Sequence, residues 1–280
     1  MSIYSGQKIA LLTQHGKEQV IAKILEPSLG CVIDHVTGFD TDQLGTFTME
    51  TPRPGTQLDA LRLKARKGME LSGHALGIAS EGSFVLDPFT GMFPWNIELL
   101  ILIDDSLGIE LVGMAQGSGN SAHVNTNDWN MVAAFAARHG FPQQLLVLRP
   151  QSQNDPRIEK GIADWTQLKS CFEACLQQSD NQLVFIETDL RAFANPSRMQ
   201  HIKAAALDLL CRIQSNCPLC ETPGYWVTER QQGLPCSVCA LPTSIYRNEV
   251  WTCLHCKHKS VQVRTDCTAA EPRDCAYCNP

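Results

Sequence analysis

Apolar and polar positions alternate along the first two hundred residues in two periods. Short apolar runs of strand type are separated by longer stretches with helical spacing. Lys8–Leu12 reads as a strand. Residues 17–25 place apolar side chains at 20, 21, 24 and 25, the spacing of one helix face. Residues 31–36 read as a strand, and a polar loop then leads to a short extended piece at 46–50. Residues 58–71 form a helix, with Leu58, Leu61, Ala65 and Met69 opposite Arg62, Arg66 and Glu70, and Gly73 ends it. Residues 76–79, 99–103 and 110–114 are further strands, and 115–126 is a loop rich in Gly, Ser and Asn. Then come a helix at 128–139, a strand at 144–148, a helix at 164–176 and a strand at 183–187. Asn195 and Pro196 open a last helix that runs to about residue 213. This interleaving predicts an α/β body with a mixed sheet flanked by helices. The body covers residues 1–213, with a possible subdivision at the linker-like stretch 151–161.

The pattern changes after residue 213. Of the 13 cysteines in 280 residues, nine fall in the last 65. Eight of these form four C-x-x-C knuckles: Cys217 and Cys220, Cys236 and Cys239, Cys253 and Cys256, Cys275 and Cys278. Two such knuckles supply the four thiolates of a tetrahedral zinc, so residues 214–280 are expected to form a double zinc ribbon with two structural Zn²⁺ ions. Sequential pairing joins the first knuckle to the second and the third to the fourth. Nested pairing joins the second to the third through a hairpin at 244–252, which leaves the outer two to meet. A crossed arrangement wants its second and third pairs nearly adjacent, and here 13 residues separate them. His255 and His258 read as surface residues beside complete Cys₄ sites, and Cys267 as a spare thiol.

Composition narrows the function. The chain is 44% apolar and 19% charged, with a net charge of -6. That argues against a protein that coats nucleic acid, and the six basic and six acidic residues of the cysteine module point the same way. No apolar run is long enough for a membrane helix, and the start has no signal-peptide pattern, so a cytoplasmic location and reduced thiols are expected. Cys171 and Cys175 lie four apart on one helix face with Leu168, Phe172 and Leu176, and read as core thiols. His35, His74, His123, His139 and His201 are scattered singly, and no G-x-S-x-G supports a serine hydrolase.

Candidate chemistry sits in loops that leave strands. Thr13-Gln14-His15-Gly16-Lys17 leads into the first helix, where free amides and Lys17 suit a phosphate. Neither this loop nor residues 117–121 is a P-loop. Asp40, Asp42 and Glu50, with Arg53 just beyond, suit Mg²⁺ or shape a turn. Ser80-Glu81-Gly82-Ser83 reads as an open loop after its strand. Asp189 and Arg191 are either a structural ion pair or catalytic groups.

Two resemblances add to this. The phrases DTDQLGTFTMETPRP, LGIASEGSF, ETDLRAFANPSRM, CPLC-ETPG and CAYCNP resemble a bacterial family known as a domain of unknown function with a C-terminal zinc-ribbon portion. That resemblance implies no activity. Over roughly residues 6–115 the chain is also similar to the inosine/xanthosine triphosphatases, which are non-canonical nucleotide pyrophosphatases. The matching order is Thr13 and Lys17, Glu50-Thr51, Arg62 and Lys64, then Gly77-Ile78-Ala79-Ser80-Glu81-Gly82. His15-Gly16 stands where that family has Asn-Pro, and Ala79-Ser80 displaces the glutamate by two positions. The similarity implies a Mg²⁺-dependent phosphohydrolase or pyrophosphatase acting on a nucleotide or related phosphate ester. Glu50 and Glu81 would hold Mg²⁺ or orient water, and Lys17, Arg62 and Lys64 would neutralise phosphates. The alternative is a non-enzymatic adaptor that docks a protein partner through the zinc ribbons.

Overall fold

The computed structural model describes residues 2–41 and 55–280. It divides into two compact units, one of residues 1–104 and 112–210, the other of 105–111 and 211–280.

The first unit holds two sheets. One has the strand order β2-β1-β3-β4-β5. Its strands are β1 (Lys8–Leu12), β2 (Val32–Val36), β3 (Leu76–Leu86), β4 (Pro94–Asp104) and β5 (Ile109–Ser118). β1 lies parallel to β2 and β3, and β3 lies antiparallel to β4, so the sheet is mixed. Helix α1 (Glu18–Leu29) joins β1 to β2, and α2 (Gln57–Ser72) precedes β3. Thr56 and Asp59 form a capping box at the start of α2, and Gly73 closes it in the left-handed region at φ 73°. α2 buries Leu61, Ala65 and Met69 against Ala79, Ile101 and Ile103.

The other sheet has the order β6-β9-β7-β8, with every pair antiparallel. Its strands are β6 (His123–Thr126), β7 (Leu146–Pro150), β8 (Glu159–Ile162) and β9 (Val184–Thr188). Helices α3 (Trp129–Arg138) and α4 (Trp165–Gln177) cover it and are N-capped by Asp128 and Asp164. Cys175 is buried in their shared core and Cys171 packs against it, as expected for core thiols. Helix α5 (Pro196–Gln214) follows β9. Its backbone passes so close to Gly113 of β5 that a Cβ there would overlap Leu209.

Three readings change. β3 does not end at Ala79 but continues through Ser80, Glu81 and Gly82 to Leu86. Glu81 pairs in register with Leu99, so the expected open loop is buried strand. The expected loop at 115–126 is mostly strand, because β5 runs to Ser118 and β6 begins at His123. The linker-like stretch 151–161 contains most of β8.

The second unit is built on a three-stranded antiparallel sheet of β10 (Trp226–Gln232), β11 (Tyr246–Thr252) and β12 (Lys259–Val263). The expected hairpin at 244–252 is instead a single strand. Among the described residues no helix is long and apolar enough to cross a membrane.

Candidate functional site

β3 extends past the carboxyl end of β1: Ala10 and Leu11 pair with Gly77 and Ile78, and β3 continues to Leu86. The chain leaving β1 turns through His15 and Gly16 and brings Lys17 back to β3 at Ser80. The Lys17 ammonium donates to the Ser80 carbonyl oxygen at 3.0 Å and lies 3.5 Å from Ser80 Oγ. Lys17 is buried, and among the described residues no carboxylate lies within ion-pair range of it.

Alternation along β3 sends neighbouring residues to opposite faces. Glu81 shares the Ala79 face and meets α2, where Lys64 Nζ donates to Glu81 Oε2 at 2.5 Å with both groups buried. Gln57 supports this stretch by donating to the Glu81 and Ile97 carbonyl oxygens. Gly82 takes the other face, directly opposite Glu98 of β4. There Arg198, from the first turn of α5, donates through Nε to Glu98 Oε1 at 2.6 Å and through Nη1 to the Leu190 carbonyl oxygen at 2.7 Å. A Cβ on residue 82 would overlap both the Glu98 carboxylate and the Arg198 guanidinium. Only glycine allows this close approach. Asn96 Nδ2 donates to the same Glu98 oxygen at 3.1 Å, and the His201 ring nitrogen Nδ1 lies 2.8 Å from Asn96 Oδ1. Glu98 Oε2 is fully buried, with no hydrogen-bond partner among the described residues.

Asn195 positions Arg198, because its Oδ1 accepts from the Arg198 backbone N–H at 3.1 Å and caps α5. Asp189 and Arg191 form a doubly bonded ion pair at the end of β9, and Arg191 stacks over Phe193, 4.8 Å from the ring centroid. The His15 ring lies 5.8 Å from that same phenylalanine ring.

The electrostatics record a surplus of positive charge. Burial, followed by the Lys17, Arg198, Arg191 and Lys64 charges, pushes His15 down to about 4, so its imidazole is neutral at pH 7. Burial, then Arg198 and Lys64, pulls the Lys17 amine down to about 7, against the opposing carboxylates of Glu98 and Glu81.

Of the residues singled out in the sequence, Lys17, Lys64 and Glu81 lie in this neighbourhood. Arg62 is two positions from Lys64 on α2, so it faces solvent and sits 3.9 Å from Asp59. Glu50, Arg53 and Asp42 lie outside the described residues, as does the extended piece at 46–50. Glu98, Arg198 and Asn96 carry much of the site but were not singled out, whereas His15 was named within the loop that leads to Lys17. Their signal was present as two polar positions, 96 and 98, just before the apolar run 99–103 of β4, and an arginine and a histidine three apart at the start of a helix.

In the second unit the eight knuckle cysteines gather into two clusters that could each hold a metal ion. One is Cys217, Cys220, Cys253 and Cys256, and the other is Cys236, Cys239, Cys275 and Cys278. The closest sulfur pairs lie 3.6 to 3.8 Å apart. A tetrahedron with metal–sulfur bonds of about 2.3 Å has edges of about 3.8 Å, so the donor set fits one four-coordinate ion per cluster. The pairing is crossed, first knuckle with third and second with fourth. It is neither the sequential nor the nested order expected. Knuckle spacing along the chain was the wrong guide. Each strand carries the chain from one end of the sheet to the other, so alternate knuckles share an end. His255 and His258 belong to neither cluster: His255 Nδ1 contacts the Leu107 carbonyl oxygen, and the His258 ring stacks on Tyr225.

Residues 64–280 match the family model described as Domain of unknown function (DUF6671), and the chain belongs to that family. The matched span takes in Lys64, Glu81, Glu98, Arg198 and both cysteine clusters, and begins after His15 and Lys17. No curated protein and no solved structure matches the chain, so the similarity to triphosphatases draws no support from either comparison.

Proposed function

We propose that this DUF6671 member is a phosphohydrolase or pyrophosphatase acting on a nucleotide or related phosphate ester with Mg²⁺. One observation carries the reading: among the described residues the buried Lys17 amine is hydrogen-bonded by neutral oxygens alone, in the field of Arg198 and Lys64 against Glu98 and Glu81. A phosphate oxyanion supplies the missing negative charge. Lys17, Lys64 and Arg198 then neutralise the phosphates, with Arg191 at the margin. Glu81, on the α2 face of β3, and Glu98, on the opposite face, are the carboxylates whose charge Lys17 feels, and with Glu50 they are the candidates to orient water or a hydrated Mg²⁺. Phosphoryl transfer needs mainly positioning and charge stabilisation, and such a group of side chains suits both.

Release of phosphate and pyrophosphate across a nucleotide panel, with and without Mg²⁺, tests the reading. Glu81→Gln, Glu98→Gln and Lys17→Met are each expected to lower kcat/KM by about 100-fold or more. If no substrate turns over at high enzyme concentration, the reaction class is wrong. Turnover untouched by all three variants would leave the class standing and remove these residues from it.

On the same reading, residues 214–280 form a module stapled by two structural zinc ions, in a protein of the reducing cytoplasm. A second function is favoured by one feature of that module. Each knuckle turns an apolar side chain outward: Leu219, Val238, Leu254 and Tyr277, of which Val238 is 72% and Tyr277 75% exposed. Such tips suit docking to a protein partner. Full-length protein in which Val238→Glu and Tyr277→Glu abolish capture of a partner while metal content stays at two would establish it. Capture unchanged by both would remove it.

A further inference from the structure

A contact between two rings brings the starts of α1 and α5 together. α1 begins at Glu18 and α5 at Pro196, and each start carries a cation, Lys17 just before the one and Arg198 in the first turn of the other. The residue three places before each start has a ring, His15 for α1 and Phe193 for α5, and the two rings lie 5.8 Å apart. Both helices therefore turn the positive ends of their dipoles towards the same place. His15 feels the charges of Lys17, Arg198, Arg191 and Lys64, so four cations lie within reach of this ring contact.

Phe193 is held as a wall beside that charge. It sits in a single 3-10 turn, Ala192–Ala194, whose two alanines are fully buried, so the phenylalanine alone turns outward. The Ala194 carbonyl oxygen accepts from the Leu145 N–H at 3.0 Å and ties the turn to the chain entering β7. Arg191 lies over one side of the ring, 4.8 Å from its centroid, and is itself clamped by both oxygens of Asp189. With that side covered, Phe193 is still 49% exposed. A phenylalanine exposed singly needs no explanation. This one is different, because its neighbours are buried, its ring is backed by a fixed guanidinium, and one imidazole parts it from the cations.

Given a phosphate held at Lys17, on which this rests, we propose that Phe193 stacks the base of the same ligand, so that the substrate class is a nucleotide and not a phosphate ester lacking a base. The two halves of the site ask for different chemistry. A phosphate answers the cations and leaves the ring in water. A base covers the ring and does nothing for the cations. A 5′-nucleotide carries both, with its ribose between them, as the His15 imidazole stands between Phe193 and the cations. Every base has a flat π-face, so stacking on an aromatic side chain tolerates any of them. This wall therefore selects for a base and not among bases.

Binding to the full chain separates the two halves without relying on turnover. Calorimetry compares adenosine 5′-monophosphate, ribose 5-phosphate and inorganic phosphate on the parent, Phe193→Ala and Phe193→Trp, with melting curves to show that both variants fold. The parent is expected to bind the nucleotide about 10-fold or more tighter than ribose 5-phosphate. Phe193→Ala is expected to lose that advantage and to bind ribose 5-phosphate as the parent does. Phe193→Trp is expected to keep the advantage, and the stacked base should quench the fluorescence of the new indole. Equal affinity of the parent for nucleotide and sugar phosphate would overturn the base wall and leave the phosphate site standing. An advantage that survives in Phe193→Ala would place the base elsewhere and overturn it too. So would a Phe193→Ala that weakens all three ligands alike, because the ring would then be structural. If none of the three binds the parent, the phosphate reading fails and this proposal fails with it.

Discussion

Lys17 occupies the N-cap position of α1 without using its side chain to cap it, so nothing in the helix requires a lysine there. Its amine is held at a cost in stability, and the sign of that cost is testable. The folded pKa of about 7 lies below the ordinary lysine value of 10.5. Between those two values the unfolded chain binds more protons than the folded one, so this group makes stability rise with pH across that window. Below pH 7 the full cost of burying the charge is present. Lys17→Met is therefore expected to stabilise the protein at pH 7 by about 1–3 kcal/mol and to flatten the rise towards pH 10 relative to the parent. Urea unfolding of both proteins across that range measures it, and a methionine variant less stable than the parent at pH 7 would make the lysine structural. Inorganic phosphate should raise the parent's melting temperature more at pH 6.5 than at pH 9, because the anion favours the charged amine, and should not raise that of the variant. At Gly82 the expectation is opposite in sign. Gly82→Ala pushes Glu98 from Arg198 inside the core and should cost about 3 kcal/mol, since a buried pair is being broken and not replaced.

At the scale of elements, the β3–β4 hairpin shows where reading a sequence stops. The helices α3 and α4 were legible to within a residue or two, because Asp128 and Asp164 cap runs of plain helical spacing. β3 was legible only through Ala79, because Ser80-Glu81-Gly82-Ser83 has the composition of a loop. What makes it strand is its ladder with β4, where a lysine seventeen positions before Glu81 and an arginine a hundred positions after Glu98 satisfy the carboxylates on the hairpin's two faces. Local pattern carries no trace of such partners. The pairing of Glu98 with Arg198 was hidden in the same way, whereas Lys17, Lys64 and Glu81 drew attention through the loops after strands and the resemblance to the triphosphatases. Asp87 yields a prediction for this element. The Phe93 and Thr90 backbone N–H groups hold its carboxyl well below the usual aspartate value of 3.8. Its contribution is thus complete above pH 3.8 and is lost as pH falls towards the folded value. Asp87→Ala should speed hydrogen exchange at the amides of residues 89–93 while the β3–β4 ladder stays protected. Unchanged exchange at those amides would mean that the turn is held by other contacts.

At the scale of the whole molecule, the crossed cysteine pairing has a consequence that sequential pairing would not have. Sequential sites would make two independent beads, each closing its own short loop. Here Cys220 meets Cys253 across 33 positions and Cys239 meets Cys275 across 36, and each span contains two ligands of the other cluster. The three strands that link the clusters bury little of their own: Val250 is the one buried position along β10, β11 and β12. A sheet with so small a core needs clamps, and a metal ion in each cluster would supply the folding free energy that apolar burial does not. Loss of one clamp should therefore loosen the strands that hold the other cluster's knuckles together. Cys256→Ser, in the first cluster, and Cys278→Ser, in the second, are each expected to lower zinc content from two per chain to clearly below one after mild chelation. Each should also abolish cooperative unfolding of this unit. Metal analysis beside a chelator titration decides it: a variant that keeps one zinc with the parent's resistance to chelator would show the two sites to be independent. The chain's abundance of cysteine then has a physical reason, since two sites are needed to hold one sheet from both ends.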